Sequence, residues 1–143
     1  MITIAVDAMG GDLAPGAVVA GALQVARHRE VAVTLAGPAA ILREQIELQG
    51  GALDAHVTVV DAPDTVGMDE SPLVAHRRKP GSSVRVAAGL VARGEANGLY
   101  SAGHTGATFL SARAAETAAS GAEPTRRRVG SFSSLKATVI SAW

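Results

Sequence analysis

Three short segments hold most of the residues able to do chemistry. VDAMGGDLAP, residues 6–15, leaves an apolar run through Asp7, the Gly10–Gly11 pair and Asp12. A buried strand has no use for a carboxylate at its end, whereas a site built there does. Adjacent glycines permit a positive-φ turn that other residues resist, and Asp12 is placed to cap a helix that starts at Pro15. YSAGHTGATFL, residues 100–110, sets Gly103 and Gly106 around His104 and Thr105 where a strand gives way to a helix. Glycine lets backbone approach a ligand closely, and a helix N-terminus offers unpaired N–H groups, so the segment suits phosphate. The Thr105 hydroxyl either caps that helix or donates to the anion. AHRRKPGSSVRVA, residues 75–87, gathers Arg77, Arg78, Lys79 and Arg85 around Ser82 and Ser83. The serines suit the cap of the next helix. Arg85 in its first turns opposes the helix dipole, which an anionic ligand would offset. Asp69, in VGMDESPL, either caps a helix or holds Arg78 or Arg85 in place. Taken singly, each segment also reads as an ordinary turn, cap or solvated basic loop.

Several chemistries lack their residues. No G-x-G-x-x-G is present, no acid closes the second strand at residue 37 to take a ribose, and no G-K-[ST] marks a P-loop. A G-x-S-x-G nucleophile elbow is absent. The chain has no cysteine, which rules out disulfides, thiolate metal sites and a thiol nucleophile. His28, His56 and His76 have no partners at metal-ligand spacing. With four aromatic residues, Tyr100, Phe109, Phe132 and Trp143, there are few rings for stacking on bases, and nucleic acid is not an expected partner. No apolar run reaches the length of a membrane span, and the N-terminus lacks the positive start of a signal peptide, so the expected location is the cytoplasm.

The elements that must hold these segments alternate. The sequence predicts strands over 2–6, 31–37 and 56–63 and a short one over 98–103, with helices over 15–28, from Pro38 to Gly50, in SPLVAHRRK, in SSVRVAAGLVARG and from near Thr105. This rhythm predicts an α/β fold, a mostly parallel sheet with helices on both faces. All three chemical segments then follow strands, at the end where such folds bind ligands. The 143 residues suffice for one domain, and 48% hydrophobic residues suffice for a core of Ala, Val and Leu. The net charge of zero is uneven. Residues 1–112 hold eight Lys or Arg against eleven Asp or Glu, and residues 113–143 hold five against two.

In order and spacing, VDAMGGDLAP, VGMDESPLVAHRRKPGSSVRVA and YSAGHTGA resemble the bacterial phosphate acyltransferases of phospholipid synthesis, the PlsX type, over residues 1–112. The resemblance implies a Rossmann-like α/β enzyme, here confined to its N-terminal part. It implies transfer of a long-chain fatty acyl group from acyl carrier protein to inorganic phosphate. The acyl phosphate product would serve a membrane acyltransferase that acylates glycerol 3-phosphate. It further implies a homodimer, cytosolic and loosely associated with the membrane, needing no metal and no organic cofactor. On this reading Gly103, Thr105 and Gly106 bind phosphate beside the Gly10–Gly11 turn. Arg78, Lys79, Ser82, Ser83 and Arg85 bind phosphate or polarise the acyl carbonyl, and Asp7 and Asp69 orient them. Asp7, Lys79, Arg85 and His104 are the expected catalytic set, although the family usually has Asn where this chain has His104. A phosphate acetyl- or butyryltransferase-like enzyme using acyl-CoA, and a non-catalytic anion-binding fragment, are the competing readings. Residues 113–143 carry an Arg triplet and lose the strand–helix rhythm, so they are expected to be an atypical basic tail, out of frame or divergent, and the chain to be inactive by itself.

Overall fold

A computed structural model describes residues 1–119 and 139–141. The strands are β1 (Ile2–Asp7), β2 (Val31–Gly37), β3 (Val57–Asp61), β4 (Gly98–Ser101) and β5 (Val139–Ser141). The helices are α1 (Gly16–Ala26), α2 (Ala39–Leu48), α3 (Pro72–Arg78), α4 (Ser83–Ala92) and α5 (Thr105–Ala119). All strand pairs are parallel, in the order β3-β2-β1-β4-β5. The α/β fold expected from the alternating pattern is therefore present, with helices on both faces.

The strands form because β-branched and apolar residues run nearly unbroken, as in VAVTLAG of β2, which is buried along most of its length. Side chains of alternating residues feed two cores. Val6, Val33 and Leu35 pack with Val19 and Leu23 of α1 and Leu42 and Ile46 of α2. On the other face Ala5, Ala36 and Leu99 pack with Ala87, Leu90 and Val91 of α4. The small residues there let α4 lie close to the sheet. Polar groups fasten the ends. Asp61 Oδ1, at the end of β3, accepts from the Ala39 amide at 2.9 Å and so caps α2 from the neighbouring strand. Asn97 clamps the start of β1: its Oδ1 accepts from Thr3 N at 2.8 Å, and its own amide donates to Thr3 O at 2.7 Å.

Chain direction explains where a site can form. From β1 the chain steps outward through α1 and β2 to α2 and β3 on one face, then recrosses through α3 and α4 to enter β4 on the other side of β1. The β1–β4 gap is thus the point where the winding reverses, and its carboxyl end is where such folds place ligands. The same reversal leaves a groove of about 780 Å³ on the α1 side of β1 and β4, lined by Ile4, Val6, Val18, Val25 and Tyr100 among others.

Two details differ from the sequence expectation. Asp12 lies in a turn and caps nothing: α1 starts at Gly16, and its N-cap, Pro15, has no side chain able to accept a hydrogen bond. The chain beyond residue 112 is not without elements either. Helix α5 runs through residues 112 and 113 without a break, and β5, from the β-branched ATVIS run, pairs with β4. The rest of the expected basic tail lies outside the described residues.

Candidate functional site

Asp7 is the hub. It ends β1 at the reversal point and is 4% exposed. Its Oδ1 accepts from the Ser83 hydroxyl at the start of α4, and its Oδ2 accepts from the Ser101 hydroxyl at the end of β4, at 2.8 Å. The backbone amides of Met9 and Gly10 face the same carboxylate. One side chain thereby ties together three segments that the sequence keeps 76 and 94 residues apart. Burial pushes the Asp7 carboxyl above its ordinary range. The two hydroxyls and the two amides oppose that rise without cancelling it.

Ser101 extends the network. Its Oγ donates to Asp7 and accepts from the Gly103 amide at 3.2 Å. The Thr108 hydroxyl, on α5, lies 3.3 Å from Ser101 Oγ and 3.1 Å from the His104 carbonyl, so its single proton serves one of the two at a time. Neither Ser101 nor Thr108 was legible as a site residue. Ser101 sits in an unremarkable YSAG turn, and its importance comes from facing Asp7 across paired strands. Thr108 was findable only as the residue one helical turn beyond His104.

The two glycine turns interlock. A Cβ on Gly10 would lie 2.6 Å from Asp7 Oδ2 and 2.8 Å from the Gly103 nitrogen. A Cβ on Gly103 would lie 3.1 Å from the Gly10 Cα. Gly11 adopts φ +96, the left-handed region that favours glycine. Here the close backbone approach expected of these glycines is made by one loop to the other.

The cap of α5 falls to a different residue from the one the sequence pointed to. Thr105 is the first helical residue and is exposed, whereas His104 Nδ1 accepts from the Gly106 amide at 3.1 Å. The acceptor must be an unprotonated nitrogen, which leaves the proton on Nε2. Histidine here does what an Asn Oδ1 does at an N-cap.

The basic cluster divides. Ser82 is buried and caps α4, accepting from the Arg85 amide at 3.4 Å. Ser83 turns inward to Asp7. The Arg85 guanidinium donates to the His76 carbonyl at 2.7 Å, which ties α4 to the end of α3. Burial, and then the Arg85 charge, hold the His76 imidazole below its ordinary range. Lys79 Nζ donates to the Thr65 carbonyl at 2.7 Å and pairs with Glu70, whose Oε1 also accepts from the Gly67 amide at 3.0 Å. Lys79 thus fastens the loop ahead of α3. Arg78 and Asp69 are exposed, and among the described residues their side chains form no hydrogen bond or ion pair.

The structure therefore brings together Asp7, Gly10, Ser83, Gly103 and His104, all lining one cavity with Val66 and Thr108. It leaves Arg78, Asp69 and Thr105 at the surface, and Gly11, Lys79, Ser82, Arg85 and Gly106 outside the cavity lining, in local bonds or turns. The cavity has a volume of about 10 Å³, room for one water and not for a phosphate. No helix among the described residues is long and apolar enough to cross a membrane.

Comparison with known proteins agrees with the motifs. The family described as "Fatty acid synthesis protein" matches residues 2–123. The chain is 46% identical over 109 residues to a phosphate acyltransferase of Anaeromyxobacter dehalogenans, an alignment that covers 76% of this chain and 30% of that protein. It is 44% identical over 113 residues to the phosphate acyltransferase of Nostoc punctiforme, covering 78% of this chain and 32% of that protein. It is 47% identical over 107 residues to that of Desulfitobacterium hafniense, covering 75% and 31%. The chain thus spans less than a third of the length of these curated relatives. A match over most of its residues, on the same turns that meet at Asp7, means that this chain belongs to the fatty acid synthesis protein family, whose curated relatives are named phosphate acyltransferases.

Proposed function

We propose that the chain carries the phosphate-side half of a phosphate acyltransferase site, which moves a long-chain fatty acyl group from acyl carrier protein to inorganic phosphate for phospholipid synthesis. The observation that carries this reading is the meeting of three motif segments on one buried carboxylate at the winding reversal of a parallel sheet.

The reaction needs no covalent enzyme intermediate. A phosphate oxygen attacks the thioester carbonyl carbon, the tetrahedral oxyanion collapses, the C–S bond breaks, and the departing carrier thiolate takes up the proton that the hydrogen phosphate gives up. Acyl phosphate and free thiol are the products. The chain's part is to hold phosphate still and to stabilise developing charge with fixed donors. Thr105 would present backbone and hydroxyl donors at the α5 N-terminus, with exposed Arg78 as a cation; the Gly103 and Gly106 amides and Arg85 would join them by exchanging their bonds to Ser101, His104 and His76 for phosphate. Asp7 acts through Ser83 and Ser101 as a positioning residue. The cleft has room for about one water, so phosphate binding would require it to widen. The same site in a homodimer of the longer relatives would work at the membrane surface, with product passing to a membrane acyltransferase.

The test has two parts: a phosphate-dependent rise in melting temperature of the 143-residue chain, and acyl phosphate formation by a full-length relative, trapped with hydroxylamine as the hydroxamate, using acyl carrier protein and acyl-CoA as alternative donors. Product from the carrier-bound donor is the expected result. Product from acyl-CoA alone would move the assignment to an acetyl- or butyryltransferase-like enzyme. No product, with no phosphate-dependent rise in melting temperature, would overturn the reading.

A further inference from the structure

His104 holds the start of α5 in a form that a single proton undoes. Its Nδ1 accepts from the Gly106 amide at 3.1 Å, and its carbonyl accepts from the amide and the hydroxyl of Thr108. The residue also lines the Asp7 cavity, so the cap and the candidate site share one side chain. A neutral imidazole has one acceptor nitrogen, and the cap uses it. An imidazolium has two N–H groups and no acceptor. Protonation therefore sets Nδ1–H against the Gly106 N–H, the cap bond is lost, and the Gly106 amide is freed in the first turn of α5. An Asn, Ser or Thr cap keeps its acceptor at every ordinary pH, whereas histidine changes charge between about pH 5 and 8.

Without a ligand the proton is opposed, because a cation at a helix N-terminus stands against the dipole. An anion reverses the balance: it accepts from the freed amide and pairs with the imidazolium. The surroundings make that charge count. Across the cavity β1 presents the buried Asp7, and α4 presents Ser83 and Val84. Arg85 of α4 is held on the His76 carbonyl. Pro72, the first residue of α3, lies against the Gly106 turn, while His76, Arg77 and Arg78 occupy the last turn of that helix. Ahead of Pro72, Asp69 is exposed and Glu70 pairs with Lys79. Further along α5, Arg113 and Glu116 pair with each other. Of the residues that line the cavity, His104 alone can become a cation.

We propose that His104 is a proton-controlled positioning residue of the phosphate site. It acts through the Gly106 amide, which it withholds from phosphate when neutral and releases, with a positive charge added, when protonated. The inference rests on the phosphate binding of the proposed function and adds what controls it. Linkage makes the effect reciprocal: the proton raises phosphate affinity, and phosphate raises the affinity of His104 for the proton by the same factor. This contribution to affinity grows as pH falls through the imidazole range. Phosphate itself becomes less negative over the same range, so the two trends have opposite sign.

The experiment measures inorganic phosphate binding to the 143-residue chain and to its His104→Asn variant by calorimetry, from about pH 8 to about pH 6 at constant ionic strength. The titrations of phosphate and of Asp7 are common to both proteins, so the ratio of their affinities reads His104. That ratio, parent over variant, should rise about 5-fold or more toward the acid end, because an amide and a charge join the partners of the anion. A constant or falling ratio overturns the inference. A second measurement needs no variant: the His104 ring is titrated by NMR in the parent, with and without phosphate. Its midpoint should move to higher pH with phosphate, and the Gly106 amide signal should shift on binding. A midpoint that stays or falls overturns the proton control. The two failures are distinguishable. Phosphate binding by both proteins with a constant ratio and an unmoved His104 titration sinks the proton control alone. No phosphate binding by either protein at any pH sinks the phosphate site and the control with it.

Discussion

Gly10 and Gly103 meet backbone to backbone, so closely that a methyl group on Gly10 would lie 2.8 Å from the Gly103 nitrogen. The turn after β1 and the turn after β4 are therefore one packed unit, with Asp7 beneath them. Gly10→Ala should destabilise the chain by roughly 1–3 kcal/mol, because neither the Gly103 backbone nor the Asp7 carboxylate can yield cheaply. Gly21→Ala is the counterpart: Gly21 lies within α1 with nothing near its would-be Cβ, and should stabilise by roughly 0.5–1 kcal/mol. Chemical denaturation of both variants beside the parent checks the pair.

The raised Asp7 carboxyl makes stability depend on pH with a definite sign. A carboxyl that ionises at higher pH when folded than when unfolded keeps its contribution below the ordinary value of 3.8 and loses it as pH rises through the folded value. The stability of the parent relative to Asp7→Asn should therefore fall as pH rises from about 4 toward neutrality. Denaturant midpoints of the two proteins across that range test it, and a stability of the parent that rises relative to the variant with increasing pH would refute the burial argument.

Ser83 is the largest influence holding the Asp7 carboxyl down. Ser83→Ala should cost about 1–3 kcal/mol, since it leaves a buried acceptor without its donor. It should also move the Asp7 titration further upward, which carboxyl ¹³C chemical shifts would follow directly.

The His104 cap is testable by swapping its acceptor. His104→Asn should keep stability near that of the parent, whereas His104→Ala should lose roughly 0.5–2 kcal/mol. Amide exchange at Gly106, the donor to Nδ1, should quicken in the alanine variant and not in the asparagine one.

Lys79 links the Thr65 carbonyl and Glu70 across the loop before α3. In Lys79→Met, limited proteolysis should cut between residues 64 and 71 faster, with the global denaturation midpoint little changed. An unchanged cleavage rate would mean that the loop is held by other contacts.

The sequence announced its elements through periodicity, and the fold followed them closely. β2 spans the expected residues and ends at Gly37, and α2 starts directly after Pro38 and stops at Leu48, two residues short of the expected Gly50, because local signals and burial agree there. The site was legible as three segments but not as a network. Period and spacing place Asp7 at the end of β1, but only strand order sets β4 beside β1 and so brings Ser101 to it. Cap chemistry misled for a similar reason. Thr105 and Asp12 are good cap residues by type. The chain starts α5 one residue early, with His104 as the acceptor, and starts α1 at a proline, for which Asp12 lies too far back. The contacts of the cations were the least legible: Arg85 and Lys79 meet carbonyls and a carboxylate within the fold, while Arg77 and Arg78 are exposed.

The long sequence separations around Asp7 also have a consequence in time. On a growing chain the carboxylate of β1 is made 76 residues before Ser83 and 94 before Ser101. Through that interval β1 can pair with β2, but its terminal acid has neither hydroxyl to bury against, and leaving it in water is cheaper than burying it alone. The central strand can thus be in place early while its functional end waits for the last-made strand beside it. Assembly of the site becomes a late step that reports completion of the β1–β4 pair.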